Sequence, residues 1–209
     1  IVVKDFMALY HEMDLPGIKT RYKDFSGWQR KEQQREKIKQ QEVFWLKEFE
    51  DEIPVLDLPT DYVRPLVQEF SGQVLNFEID TGQTRELKSL CREFGATLFM
   101  VLLSFYTILL SKLSGRDDIV IGSPVVGRQH ADLEGIIGMF VNTLPLRNYP
   151  LGEKTFSGFL YDVKEKTLKA FENQDYQYED LVEHAAVNRD AGRNPLFATK
   201  FVLQNNDPT

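Results

Sequence analysis

The sequence predicts a layered α/β fold, and three features carry that expectation. Ile119-Val120-Ile121 is a β-branched run without polar alternation, the pattern of a strand buried on both faces. Ahead of it lie two helical stretches, Thr84 to Phe94 with one apolar face and Thr97 to Ser114 with apolar residues nearly all round. Ahead of those, Gln73 to Asp80 alternates Val74, Asn76, Glu78 and Asp80 with Leu75, Phe77 and Ile79, as a half-buried strand does. Strand, two helices and strand in that order have the form of a crossover connection.

Taken in order, the chain opens with a helical spacing over Val2 to Tyr10 that Pro16-Gly17 cuts off. Tyr22 to Gln29 reads as an aromatic-rich extended segment entering a helix, with Tyr22, Phe25 and Trp28 covering apolar surface. Arg30 to Lys39 is a polar, solvated helix start. Ile38, Trp45 and Phe49, flanked by Val43 and Leu46, then supply the stripe that docks it. Pro54, Pro59 and Pro65 mark a non-helical connection leading to the strand at 73–80. The helix from Thr84 stops at Gly95, and Cys91 sits in its apolar stripe with Leu87, Leu90 and Phe94, where a cysteine behaves as a small hydrophobe. Thr97 to Ser114, closed by Gly115, should run through the middle of the fold.

The stretch from Arg116 to Arg147 reads as two strands, 119–126 and 140–146, joined by a long loop. In the second, Val141 and Thr143 share one face, while Phe140, Asn142 and Leu144 share the other. An amide placed beside such apolar neighbours must be hydrogen-bonded, because an unpaired one costs about 1 to 3 kcal/mol. Asn142 therefore either ties down a neighbouring loop or faces a wet channel and contacts a ligand. Thr155 can cap a further helix that packs through Phe156, Leu160, Val163 and Ala170. A turn into a short helix follows at 173–182, and Arg189 to Phe197 leads into a last strand, Ala198 to Leu203.

With 209 residues, 42% hydrophobic and 27% charged, the composition is that of an ordinary globular unit. The net charge of -7 and the lack of a basic stripe argue against a nucleic-acid surface. The longest apolar run, Leu98 to Leu110, is interrupted by Ser104, Tyr106 and Thr107 and falls short of the roughly 20 residues that span a bilayer, so no membrane is expected. One cysteine allows no internal disulfide, and a cytoplasmic location is expected. The chain starts Ile-Val-Val-Lys, with neither an initiator Met nor signal-peptide grammar, and is expected to begin inside a longer polypeptide. His11, His130 and His184 are far apart and lack zinc spacing, so no metal is expected. His130 with Asp132 reads as surface loop. No nucleophile elbow or phosphate-cradling glycine loop occurs.

Five segments carry a resemblance: YKDFSGWQ from Tyr22, the L-P-T-D run at 58–61, IGSPVVGR with IGMFVNTLPLR, NQDYQYEDLV from Asn173, and RDAGRNPLF from Arg189. In this order they resemble the condensation domain of non-ribosomal peptide synthetases across nearly the whole chain. Gln177-Tyr178 stands where the family has Pro-Phe and Gly192 where it has Ser, which touches local turn geometry only. The resemblance implies a layered mixed sheet with packed helices, one lobe of a chloramphenicol-acetyltransferase-like fold. Residues 1–21 would be a linker helix from the preceding lobe and 22–209 the carboxy-terminal lobe, clipped before its natural end.

The implied activity is amide-bond formation between acyl groups that upstream and downstream peptidyl carrier proteins present on phosphopantetheine arms, in a tunnel between two lobes and beside an adenylation domain. Such chemistry needs a positioned imidazole and an oxyanion donor. The family's H-H-x-x-x-D-G motif is missing from this sequence, so no catalytic residue is assigned and the chain alone is expected to be inactive. The resemblance places Ser123, Asn142 and Trp28 toward the channel or lobe junction. Tyr22, Asp24, Asp175, Asp190, Arg193 and Asn194 belong to the structural motifs, with Asp190 and Arg193 holding the loop before the last strand. No cofactor is bound directly. A non-catalytic carrier-protein docking module and an epimerisation domain of the same superfamily are the competing readings, and the Asn-Thr pair of IGMFVNT favours condensation. A lone lobe should also bare an apolar face and self-associate.

Overall fold

The computed structural model describes every residue except Pro16, Lys19, 63–71, Gln129, 186–192 and 205–209. Its helices are α1 (Val2–Tyr10), α2 (Tyr22–Gln29), α3 (Glu32–Glu48), α4 (Thr81–Phe94), α5 (Leu98–Ser114), α6 (Phe156–Glu172) and α7 (Tyr178–His184). The strands are β1 (Ile119–Val125), β2 (Asn142–Asn148) and β3 (Thr199–Lys200). They form one mixed sheet of order β2-β1-β3, with β2 antiparallel and β3 parallel to the central β1. This is the layered α/β architecture the sequence predicts.

The central place of β1 accounts for its unbroken β-branched run: Ile119, Val120 and Ile121 are all buried, with strands on either side. Past Gly122 the strand continues through Ser123 and Pro124, which pair with Leu144 and Thr143. Pro145 is tolerated because β2 is an edge strand. β3 touches β1 only at Ile121 and Gly122, so Pro124 lies past its reach.

Sequence expectations fail at several places. Tyr22–Gln29 is helical rather than extended, because the Asp24 carboxylate accepts the Arg21 backbone N–H at 2.9 Å and closes the helix start. The expected strand at 73–80 is absent. Val74, Leu75 and Phe77 are 85%, 88% and 81% exposed, and no strand among the described residues pairs with the segment. Alternation makes a strand only where a neighbouring edge supplies hydrogen bonds and a core takes one face. Asp80 instead caps α4, accepting from the Gln83 N–H at 2.7 Å, so that helix starts earlier than Thr84. The last strand shrinks from Ala198–Leu203 to Thr199–Lys200. The parallel crossover therefore runs from β1 through β2, α6 and α7 to β3, not through α4 and α5.

α5 is capped by Thr97 and ends at left-handed Gly115, φ 66°. It buries Met100, Val101, Leu103, Thr107 and Leu110, yet Phe105, Leu109 and Leu113 stay exposed, so it flanks the core rather than threading it. α6 begins at the Thr155 cap and packs on α5 and β2 through Phe159, Leu160 and Val163. α3 docks through Trp45 and Phe49, while Val43 stays exposed. α1 forms as its spacing predicts but buries none of its residues. No single described helix is long and apolar enough to cross a membrane.

Arg147 is the ionic knot of the core. Its side chain, 5% exposed, donates Nε to both Asp118 oxygens at 3.1 Å and Nη2 to Oδ2 at 2.6 Å. Its remaining donors reach the carbonyls of Glu48 (3.0 Å) and Glu52 (2.9 Å), fastening β2 to the end of α3.

Candidate functional site

α2, the α3 start, the 127–140 loop, the start of β2 and the 174–177 turn meet around a cavity of about 230 Å³. One wall is aromatic. Phe25 packs against Phe140 at 4.7 Å between ring centres, and Tyr22 meets Phe140 edge-on at 5.3 Å. The Tyr22 hydroxyl donates to the Met139 carbonyl at 2.9 Å, locking α2 to the loop. Gly138 lets the ring lie there, because a Cβ at that position would sit 2.2 Å from it. The Arg128 guanidinium lies 4.1 Å from the Phe140 ring centre and donates to the Leu133 carbonyl.

The polar wall comprises Gln174, Asp175 and Gln177 from the turn, with Gln29 from α2 and Gln34 from α3. Asn142 ties this wall down. Its Nδ2 donates to the carbonyls of Gln174 (2.9 Å) and Tyr176 (2.8 Å), and its Oδ1 accepts from the N–H of Thr143 (2.8 Å) and Tyr178 (3.1 Å). A 5% exposed amide with all these bonds made is a fastening between β2 and the turn, and it lines the cavity as well. Lys37 pairs with Asp175 at 2.8 Å.

Trp28 stands at the rim, 37% exposed, stacked on Phe25 and edge-on to His130 at 6.0 Å. Ser123 is buried inside β1 opposite Leu144 and is not part of the cavity lining. Asn194 accepts the Tyr178 hydroxyl at 2.5 Å and the Leu196 N–H at 3.2 Å. Arg193 reaches Asp57 at 3.8 Å, tethering the stretch before β3 to the 51–60 connection. Asp190 lies outside the described residues. Burial, opposed by the Asn194 bond, pushes the Tyr178 phenol up to about 12. Burial first, and then Glu42, pushes the Tyr176 phenol up further, and its hydroxyl lies 2.9 Å from His184 Nδ1.

The structure thus brings Tyr22, Trp28, Asn142 and Asp175 to one cavity and leaves Ser123 in the sheet beside it. Two features, one in the cavity and one behind it, escape the sequence reading. His130, which reads as plain surface loop, forms part of the rim. Gln41, buried on α3, holds the 172–176 backbone. The signal for Gln41 is a polar residue in register with Ile38, Trp45 and Phe49, the same oddity that marks Asn142. Among the described residues no group of three or more His, Cys, Asp or Glu could hold a metal. Aromatic faces and fixed amides can bind and orient a chain bearing amide groups.

The family model for the Condensation domain matches residues 1–208. Over 98% of its length the chain is 49% identical to bacitracin synthase 3 of Bacillus licheniformis, covering 3% of that protein. It is 50% identical to gramicidin S synthase 2 of Brevibacillus brevis over 98% of this chain and 5% of that one. Against surfactin synthase subunit 1 of Bacillus subtilis the identity is 49%, over 98% of this chain and 6% of the relative. A holo four-domain nonribosomal peptide synthetase solved with AMP and glycine aligns over 80% of this chain and 13% of its own, at 29% identity and a TM-score of 0.77. The X-domain from teicoplanin biosynthesis shares the fold, with 21% identity, a TM-score of 0.80, and coverage of 92% of this chain and 44% of that one.

Proposed function

The chain belongs to the condensation-domain family, and from that premise we propose that it serves a nonribosomal peptide synthetase by joining two carrier-bound acyl groups through an amide bond. In that reaction the acceptor amine attacks the donor thioester carbonyl. The C–N bond forms, the C–S bond breaks, and the thiol leaves with the proton that the ammonium gives up. The family's H-H-x-x-x-D-G motif does not occur in this sequence, and in this reading the imidazole for that proton belongs to an amino-terminal lobe, without which the chain is inactive.

The supporting observation is the convergence of three motif segments, around Tyr22, Asn142 and Asp175, on one cavity with an aromatic wall and an amide wall. A pantetheine arm is a thin chain carrying amide groups. Gln174 and Gln177 offer it donors and acceptors, while Phe25 and Phe140 offer apolar contact. In this reading Trp28 lines the channel, and Ser123, buried in the neighbouring strand, supports its wall. The partners are an upstream and a downstream carrier protein, an amino-terminal lobe covering this one, and an adjacent adenylation domain, in the cytoplasm. Residues 1–21 act as the linker between lobes, and 22–209 as the carboxy-terminal lobe.

The test is to supply the amino-terminal lobe and two loaded carriers and to look by mass spectrometry for an amide product on the acceptor arm. Product with the lobe and none without it is expected. Absence of product under every condition overturns the reading. A docking module without catalysis is the second reading, favoured by the exposed Val3, Phe6 and Tyr10 of α1; it would capture a carrier yet never yield product when the missing lobe is supplied.

A further inference from the structure

Gln41 is 3% exposed, and a single loop uses both ends of its amide. Oε1 accepts the backbone N–H of Asp175 and of Tyr176, each at 2.9 Å. Nε2 donates to the Glu172 carbonyl at 3.3 Å and to Asp175 Oδ2 at 3.4 Å. From β2, Asn142 grips the same loop at the Gln174 and Tyr176 carbonyls. Two buried amides, on elements about a hundred residues apart, therefore hold neighbouring backbone groups of one turn.

An apolar side chain at 41 would continue the stripe of Ile38, Trp45 and Phe49. A buried glutamine forgoes that transfer energy, and what it gains is loop geometry. The loop it fixes presents Gln174, Asp175 and Gln177 to the cavity. We propose that Gln41 is a positioning residue for condensation: clamped between Gln41 and Asn142, the 174–177 turn holds its side chains where the carrier-bound substrates pass. The inference rests on the reading of this cavity as part of the substrate path.

The test uses the intact synthetase bearing Gln41→Leu or Gln41→Glu. Leucine removes the Oε1 acceptor that the Asp175 and Tyr176 N–H groups share. Their hydrogen exchange should quicken about tenfold or more, while β1 and β2 keep their protection. Condensation kcat/KM should fall about tenfold, with adenylation and carrier loading unchanged. In Gln41→Glu the ionised carboxylate still accepts both N–H groups but faces the Glu172 carbonyl and the Asp175 carboxylate, with Lys37 as the nearby counter-charge. Once protonated, the introduced acid reproduces the amide pattern. The Gln41→Glu to wild-type activity ratio should therefore rise as pH is lowered through the range in which the introduced acid protonates, which generalised loosening would not produce.

Unchanged exchange at Asp175 and Tyr176 in Gln41→Leu, or Gln41→Glu condensation equal to wild type across that pH range, overturns the inference. Should Gln41→Leu fail to fold, the Gln41→Glu pH profile decides alone. A wild-type synthetase that makes no amide refutes the proposed function, while the exchange data still decide the clamp.

Discussion

Replacing Arg147 by Met keeps much of the side chain's apolar contact and removes five hydrogen bonds, to the two Asp118 oxygens and to the Glu48 and Glu52 carbonyls. Removing one member of a buried ion pair costs about 3 to 5 kcal/mol. The Asp118 side chain is 26% exposed and can regain some water, which puts the loss near the lower end, at about 3 kcal/mol. For a chain of this length, each kcal/mol lowers Tm by about 2 to 4 °C, so the variant should melt about 6 to 12 °C below wild type. The assay is urea and thermal unfolding followed by circular dichroism, with a double-mutant cycle. Arg147→Met combined with Asp118→Leu removes the stranded carboxylate and should be more stable than Arg147→Met alone. If the single variant loses under about 1 kcal/mol, or the two losses simply add, Arg147 is not the knot described above.

Asn142→Asp puts a carboxylate oxygen where Nδ2 donates to the Gln174 and Tyr176 carbonyls, which favours the protonated acid in the folded state. Its folded pKa then exceeds the unfolded value of about 3.9, so the loss relative to wild type should grow as pH rises through that value and level off above the folded pKa; a pH-independent difference in urea midpoints contradicts this. The Tyr178 phenol, raised from 10.0 to about 12, contributes stability that is full below 10.0 and lost as pH climbs through about 12. Tyr178→Phe should remove that alkaline decline and cost about 1 kcal/mol at neutral pH through the lost bond to Asn194, both readable from denaturant midpoints; an unaltered alkaline decline refutes the assignment. The apolar residues left bare on α1 and at Val74, Leu75 and Phe77 should make the isolated chain self-associate and bind a hydrophobic dye; a monodisperse monomer in sedimentation that binds no dye would count against a covering lobe.

Where local signals suffice, the sequence can be read directly. Thr97 and Gly115 bound α5, Thr155 starts α6, and the β-branched run at 119–121 announces a strand enclosed on both sides; caps and burial patterns act within a few residues and need no distant partner. Asn142 is recognisable as an amide that has to be bonded, although which loop it fastens is not.

Everything that depends on a second surface was decided by tertiary structure. Gln73–Asp80 has strand alternation but no neighbouring edge to pair with among the described residues, whereas Thr199–Lys200 becomes a strand because β1 offers one. The cavity joins residues as far apart as Tyr22 and Gln177. The clamp on the 172–178 turn needs α3 and β2 to arrive from opposite sides, and the bonds that hold it span 131 to 135 residues for Gln41. Local chemistry chose the elements, and the pairing of buried donors with distant acceptors chose how they meet, because such a pairing gains its strength only once water has been excluded from around it.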